Sequence, residues 1–434
     1  MGLNASNMEG MGGNIESASV NNLMVSSDLD DNLHSGSAGS VSATNATYGN
    51  TSIAQANMTN LAGSSSSSGQ AASLSSGSLS DIAGYGHTAE LLTIGGASVN
   101  NVAGAQGVKV DSSTLQGYQS EFGTVDQANL SGLNLRHHDG HSSGSVDSAA
   151  MTQANLLGTS VNQATVTGSS FSNNQQGSTL NIDGASATGL RGFGTQADSV
   201  SLQNAAAHGN GNLTQSGFSV GNVSGSNIGH DAGSIGTLSI NDIQGNRNND
   251  SYDASVGSVT ANDANVNGLA SIGTISGTNA SVQATLGEQN EYAANLDRLS
   301  LSDVTGDTFG TTVGNATFSG AEISGTDTTS LHARLASGEV NDFAMQGASI
   351  EQASVHNLQG DLENGNGDVR LDKMAFQNAK YEDTLHIQNG TAQNLRTHGT
   401  AQAQQGSMGS AEVHGMTVTQ PQSISHIGEA SMTG

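Results

Sequence analysis

The sequence predicts an all-β fold, a single elongated β-solenoid, and three observations predict it. An apolar residue returns at every fifth position over long stretches. Large side chains are scarce, with no Trp and 3% aromatic residues. The 434-residue chain holds one proline, which suits a backbone whose N–H groups are committed to ladders. A period of five matches neither the helical 3.6 nor the flat strand's 2, so the chain must turn corners.

The clearest run is GSVDS AAMTQ ANLLG TSVNQ ATVTG SSFSN, with Val146, Met151, Leu156, Val161, Val166 and Phe171 in third place. A second run begins at Gly211 and centres on Leu213, Phe218, Val223, Ile228, Leu238 and Ile243, with Gly233 as its lapse. A third begins at Ala333 and centres on Leu335, Val340, Met345, Ile350 and Val355. These residues are the predicted repeat core. Between runs the phase slips by one to several residues, as loops at the corners of a repeat require. Ala, Gly, Ser and Thr beside each Val or Leu suit a narrow interior that admits one large side chain per face. Ser, Thr and Asn suit outward ladders and left-handed turns.

In ANLSG from Ala128 and ANLLG from Ala154, and nearly in ATFSG and AEISG, the chain resembles the pentapeptide-repeat family. The resemblance covers roughly half the chain. It implies a right-handed quadrilateral β-helix in which four pentapeptides make a coil of about 20 residues. The Val and Ile centres and the slipping phase leave a three-sided β-helix open. At a rise of about 4.8 Å the expected rod has about 17 to 20 coils and measures about 80 to 100 Å.

One coil buries too little apolar surface to offset the ordering of its residues, so stacked neighbours must supply stability and the ends need covers. The expected organisation is an irregular segment at 1–36, the solenoid at 37–400, and a cap or assembly contact at 401–434 that holds Pro421. Self-association or a protein partner is expected at the ends.

Acidic residues number 37 against 10 Lys plus Arg, a formal net charge of −27. That balance excludes direct binding to nucleic acid or to anionic lipid, which need basic surface, and favours basic partners or divalent cations. The absence of cysteine excludes a disulfide framework. No 18-residue apolar run occurs, so membrane insertion is not expected. No classical signal peptide opens the chain, so export is expected by another route. The opening MGLNAS fits the N-myristoylation pattern, and Asn45, Asn129 and Asn315 sit in glycosylation sequons. A composition rich in Gly, Ser, Asn and Thr supplies both unaided.

Two clusters have metal-ligating chemistry. LRHHDGH brings His137, His138, Asp139 and His141 within five residues, a set suited to Zn²⁺, Ni²⁺ or Cu²⁺. DLENGNGDVRLD carries Asp361, Glu363, Asn364, Asn366 and Asp368, and SSDLDDN carries Asp28, Asp30 and Asp31; oxygen-rich loops suit Ca²⁺, although the EF-hand order fails. The bland alternative for each is a solvated polar loop. GFSVG around Ser219 matches the nucleophile elbow, which requires a strand–turn–helix context, yet it falls inside a clean run of fives. No phosphate-binding loop, dinucleotide fingerprint or His-Glu-x-x-His motif occurs. No catalytic residue and no resident cofactor beyond Ca²⁺ is therefore expected.

The functional expectation is a non-enzymatic structural or adhesive protein, extracellular or on a cell surface, acting through protein or glycan contacts or self-assembly. Two alternatives stay open: a cytoplasmic acidic DNA mimic that binds a topoisomerase, as the family resemblance implies, and an effector injected into a host cell.

Overall fold

The structure is a computed structural model that describes residues 1–10, 12–28, 32–212, 214–307, 310–326, 330–363, 365–400, 403–420 and 423–433. Leu213, Asp30, Asp31, Asn364 and Pro421 lie outside them. None of the described residues is helical, and strands dominate throughout. The contacts divide the chain into two units, Met1–Leu213 and Thr214–Gly434.

The first unit runs through β1 (Leu3–Gly10), β2 (Gly13–Asn21), β3 (Met24–Asp28), β4 (Leu33–Tyr48), β5 (Thr51–Ser66), β6 (Gly69–Gly84), β7 (His87–Val102), β8 (Ala105–Ser120), β9 (Gly123–His138), β10 (His141–Leu156), β11 (Thr159–Asn174), β12 (Gly177–Gly192) and β13 (Thr195–Asn210). From β4 onward each strand has 16 residues and two residues join it to the next. The second unit runs through β14 (Gln215–His230), β15 (Gly233–Asn248), β16 (Ser251–Val266), β17 (Ala270–Thr285), β18 (Glu291–Gly306), β19 (Thr311–Thr326), β20 (Ser330–Met345), β21 (Ala348–Glu363), β22 (Asn366–Tyr381), β23 (Leu385–Thr400), β24 (Ala403–Ser407), β25 (Ser410–Gln420) and β26 (Ser423–Thr433).

Within each unit the strands form an antiparallel meander and touch only their ladder neighbours. The all-β repeat predicted from the sequence is therefore present. Its rungs differ from those of a right-handed coil, which stack in parallel, because parallel strands need a crossover of a dozen or more residues and two-residue joins reach only an antiparallel partner. Residues 1–36, read as irregular, hold β1, β2 and β3, and 401–434 holds β24, β25 and β26.

Tight turns explain the joins. Tyr85-Gly86, Ala103-Gly104, Asp139-Gly140, Leu157-Gly158 and Phe193-Gly194 all have positive φ at both residues, the backbone of the hairpin turn whose twist matches its strands. Every third join in the first unit is different. Ser66 and Ser120 accept from the N–H of Ser68 and Phe122, and Asn174 accepts from Gln176, before a glycine with strongly positive φ. The same arrangement opens the second unit, where His230 accepts from the N–H of Ala232 ahead of Gly233.

Two bend lines cross the strands of each unit and explain the period of five. At each line one strand carries a left-handed residue, such as Gly168 (φ 58) on β11 or Gly189 (φ 62) on β12, and the pair at that point drops out of the ladder. The register on either side is unchanged, so no residue has been inserted. A left-handed residue reverses the alternation of faces. On β11 one face therefore carries Val161, Ala164, Val166, Ser169 and Phe171, in steps of 3, 2, 3 and 2. Two steps make five residues. A Cβ placed on Gly338 would lie 3.0 Å from Val355 and 3.5 Å from Leu335, the latter across a bend line, so the apolar segments line one inner face.

That face is the core, and it is thin. Among the described residues the buried hydrophobic ones are Ala38, Ala89, Val125, Ala154, Ala197, Ala261, Ala264 and Ala316, all at inner positions. The accessible surface is 25588 Å², against roughly 15,000 Å² for a compact protein of this mass. Every described residue of the predicted repeat core lies on the inner face. Most are half-buried, whereas Phe171, Phe218 and Met345 stay exposed.

Candidate functional site

Between the two bend lines each strand presents five residues, two inward and three outward. In the first unit the outward residues form three columns across the strands, drawn almost wholly from Ser, Thr, Asn and Gln and carrying no charged residue among those described. Cross-strand bonds tie the columns together. Ser17 meets Thr44 at 2.7 Å, Ser19 meets Ser42 at 2.8 Å, Ser131 meets Ser148 at 2.7 Å and Thr165 meets Ser186 at 2.7 Å. Strand alternation puts these hydroxyls outward because the neighbouring Ala, Val and Leu take the interior.

The second unit has the same panel with charges set into it. Asn222 donates to Asn241 (2.7 Å), which donates to Ser258 (2.9 Å). Further along, Glu339 accepts from Gln352 (2.7 Å) and Asn341 (3.2 Å), and these bonds, with that from Gln352 the stronger, hold its carboxyl below the usual range.

The bend lines flank the panel and carry acids. Asp111, Asp147 and Asp183 face Gly96, Gly132 and Gly168 on the first line. On the second, Glu90 faces Gly117. In the second unit Asp297 accepts from Asn279 (2.7 Å) and Asp372 from Asn357 (2.8 Å), while Asp263, Asp303 and Asp342 themselves take the left-handed backbone. Asp and Asn are the residues besides Gly that adopt this backbone readily and bond locally, so Asp263, Asp303 and Asp342 have a conformational reason to be there. Lys109 bridges to Asp111 at 2.7 Å, and that contact, more than the charge of Asp147, raises its ammonium pKa.

The histidine cluster sits on one hairpin. Asp139-Gly140 form the turn, His138 pairs with His141 across it, and His137 pairs with Ser142 at 2.8 Å through Nδ1. His138 reaches Asp139 at 3.2 Å. His137 and His138 are consecutive in a strand and face opposite sides. Asp361 and Asp368 pair across the join between β21 and β22, as do Glu363 and Asn366. The Asp368 carboxylate is gripped by Arg396 and Arg370, each at 2.8 Å, and these hold its carboxyl far below the usual range. Asp361 is engaged by His332 at 2.8 Å. A cation here would have to displace two guanidinium groups. Among the described residues no group of three or more acidic or histidine side chains is gathered as a metal site. Ser219 lies inside β14, paired with Gln244, in a continuous strand rather than an elbow.

The panel and bend lines escape a reading by fives. Their signal is a spacing of 36 residues, in Gly96, Gly132 and Gly168 and again in Asp111, Asp147 and Asp183. No protein-family model matches the chain, and no curated protein matches it.

Proposed function

We propose that the protein is a non-enzymatic structural or adhesive β-repeat, displayed outside the cell and acting through protein or glycan contacts or self-assembly. The observation that carries this reading is the uncharged hydroxyl and amide panel of the first unit. Ser, Thr, Asn and Gln offer both donors and acceptors, the chemistry that matches sugar hydroxyls and polar protein surface without demanding a counter-charge. The test is protease treatment of intact producing cells beside a lysed control. Degradation on intact cells is expected; degradation only after lysis would sink the surface reading.

One observation favours a second reading, the acidic mimic that occupies a basic groove. In the first unit most of the described acids gather on bend lines rather than scattering over the surface. Inhibition of a type II topoisomerase by the purified chain, relieved by salt, would favour that alternative.

A further inference from the structure

We propose that a row of turn residues along one margin of the first unit binds an extended β-1,4-linked glycan by packing against its sugar rings. The inference rests on the glycan-contact side of the reading above and names the ligand class and the contact.

In an antiparallel meander every second join falls on the same side. The joins that follow β6, β8, β10 and β12 share one side of the first unit and carry Tyr85, Phe122, Leu157 and Phe193. These four are exposed at 79%, 54%, 72% and 84% in that order, and Tyr48, which ends β4 on the same side, is exposed as well. Joins on the opposite side carry Ser68, Ala103, Asp139 and Gln176 instead. The first unit has six aromatic residues, Tyr48, Tyr85, Tyr118, Phe122, Phe171 and Phe193, and four of them therefore gather on one margin.

Their placement works against the backbone. Tyr85, Leu157 and Phe193 have φ of 50°, 51° and 50°, a region that bulky residues rarely adopt and that Asn or Asp before glycine would fill with less strain. So exposed a side chain buries little within the chain, and folding gives no reason for it. Strain kept at an exposed bulky residue points to a ligand.

Spacing selects that ligand. Successive joins on one side are two strands apart, about 10 Å. The N–H of Leu157 donates to the carbonyl of Phe122 at 2.9 Å, which ties these two tips together. An extended β-1,4-linked glycan advances by nearly the same length for every two rings, so alternate sugars meet successive tips. The C–H face of a sugar packs on an aromatic ring or a leucine, while its hydroxyls find partners in Thr88, Gln119, Thr124 and Asn155, exposed near the strand ends beside the tips. Glu121 is the one charged residue at these four joins, so the margin suits an uncharged polymer and offers no cation to anionic headgroups. A row one residue wide also lacks the rim that keeps water from the centre of a protein interface, whereas a single polysaccharide strand needs only the row.

The full chain is mixed with suspended chitin, with suspended cellulose and with α-linked starch, and its depletion from the supernatant is measured. Depletion by at least one β-1,4-linked glycan and not by starch is expected. The double variant Tyr85→Asn with Phe193→Asn places a favoured Asn-Gly at two joins, so its urea midpoint should hold or rise while binding weakens about tenfold or more. Ala103→Asn, at a join on the opposite side, should bind as the parent does. No depletion by chitin or cellulose, equal depletion by starch, or undiminished binding of the double variant would overturn the proposal. So would capture by phosphatidylcholine vesicles, or a dimer in sedimentation velocity, that the double variant loses while it keeps the glycan; the row would then belong to lipid or to a second copy. None of these outcomes bears on protease accessibility at the cell surface, so the two readings fail separately.

Discussion

At the residue scale, the fold depends on a few side chains that let a strand bend or turn. Gly123 has φ of 139°, and a Cβ there would run into the backbone of Asn155 and Leu156. Gly123→Ala should therefore lower the unfolding free energy by about 2 kcal/mol or more, read from urea denaturation. Aromatic rings cover other glycines: Phe171 lies over Gly144, Phe218 over Gly245 and Phe376 over Gly390. The ring shields backbone that glycine leaves bare, which accounts for Phe at half-exposed inner positions. Asp368 makes a pH-dependent contribution. Its folded pKa is depressed, so the stability it lends is present above the ordinary carboxylate value near 3.9 and is lost as pH falls through the folded value. Asp368→Asn should lower the urea midpoint at pH 7, and the gap to the parent should narrow below about pH 4.

At the element scale, the unit of construction is a strand with its turn, and strands alternate in where they bend. The left-handed residue comes at the tenth place of β7, β9 and β11 and at the thirteenth of β8, β10 and β12. Removing residues 105–140 takes out two strands with their turns and should leave the bend lines aligned. Removing only 105–122 should place two strands of like pattern side by side and break both lines. Circular dichroism and urea midpoints distinguish the two deletions; the first should retain β structure and the second should lose it. The period of five was legible because an inner face with steps of 2 and 3 repeats in the sequence as apolar residues. The antiparallel return was not, because Leu157, Phe193 and Tyr85 occupy left-handed turn positions that sequence rules reserve for Asn or Asp. The histidine cluster looked like a ligand set because its residues are close in sequence; strand geometry separates neighbours onto opposite faces.

At the scale of the whole molecule, charge and cooperativity dominate. Asp111 and Asp147 share a bend line two strands apart, about 10 Å at the usual strand spacing. The Debye length is about 30 Å at 0.01 M salt and about 8 Å at 0.15 M. Repulsion along the lines is therefore felt at the lower concentration and largely screened at the higher. The urea midpoint should rise between them, and a midpoint that falls would mean that ion pairs such as Lys109 with Asp111 outweigh the repulsion. Because strands touch only their neighbours within a unit, stability is a sum over strands and interfaces, and no single substitution removes the core.

The same neighbour-only contact has a mechanical meaning. Tension applied at a chain end acts on one hairpin ladder at a time, as a zipper is drawn from its last tooth. In the first unit from β4 onward, each strand released with its turn frees 18 residues, about 60 Å of extended chain. Extension by an optical trap should proceed in equal strides of about that length, at a force that stays level, so the chain would yield gradually under load and keep its remaining strands intact.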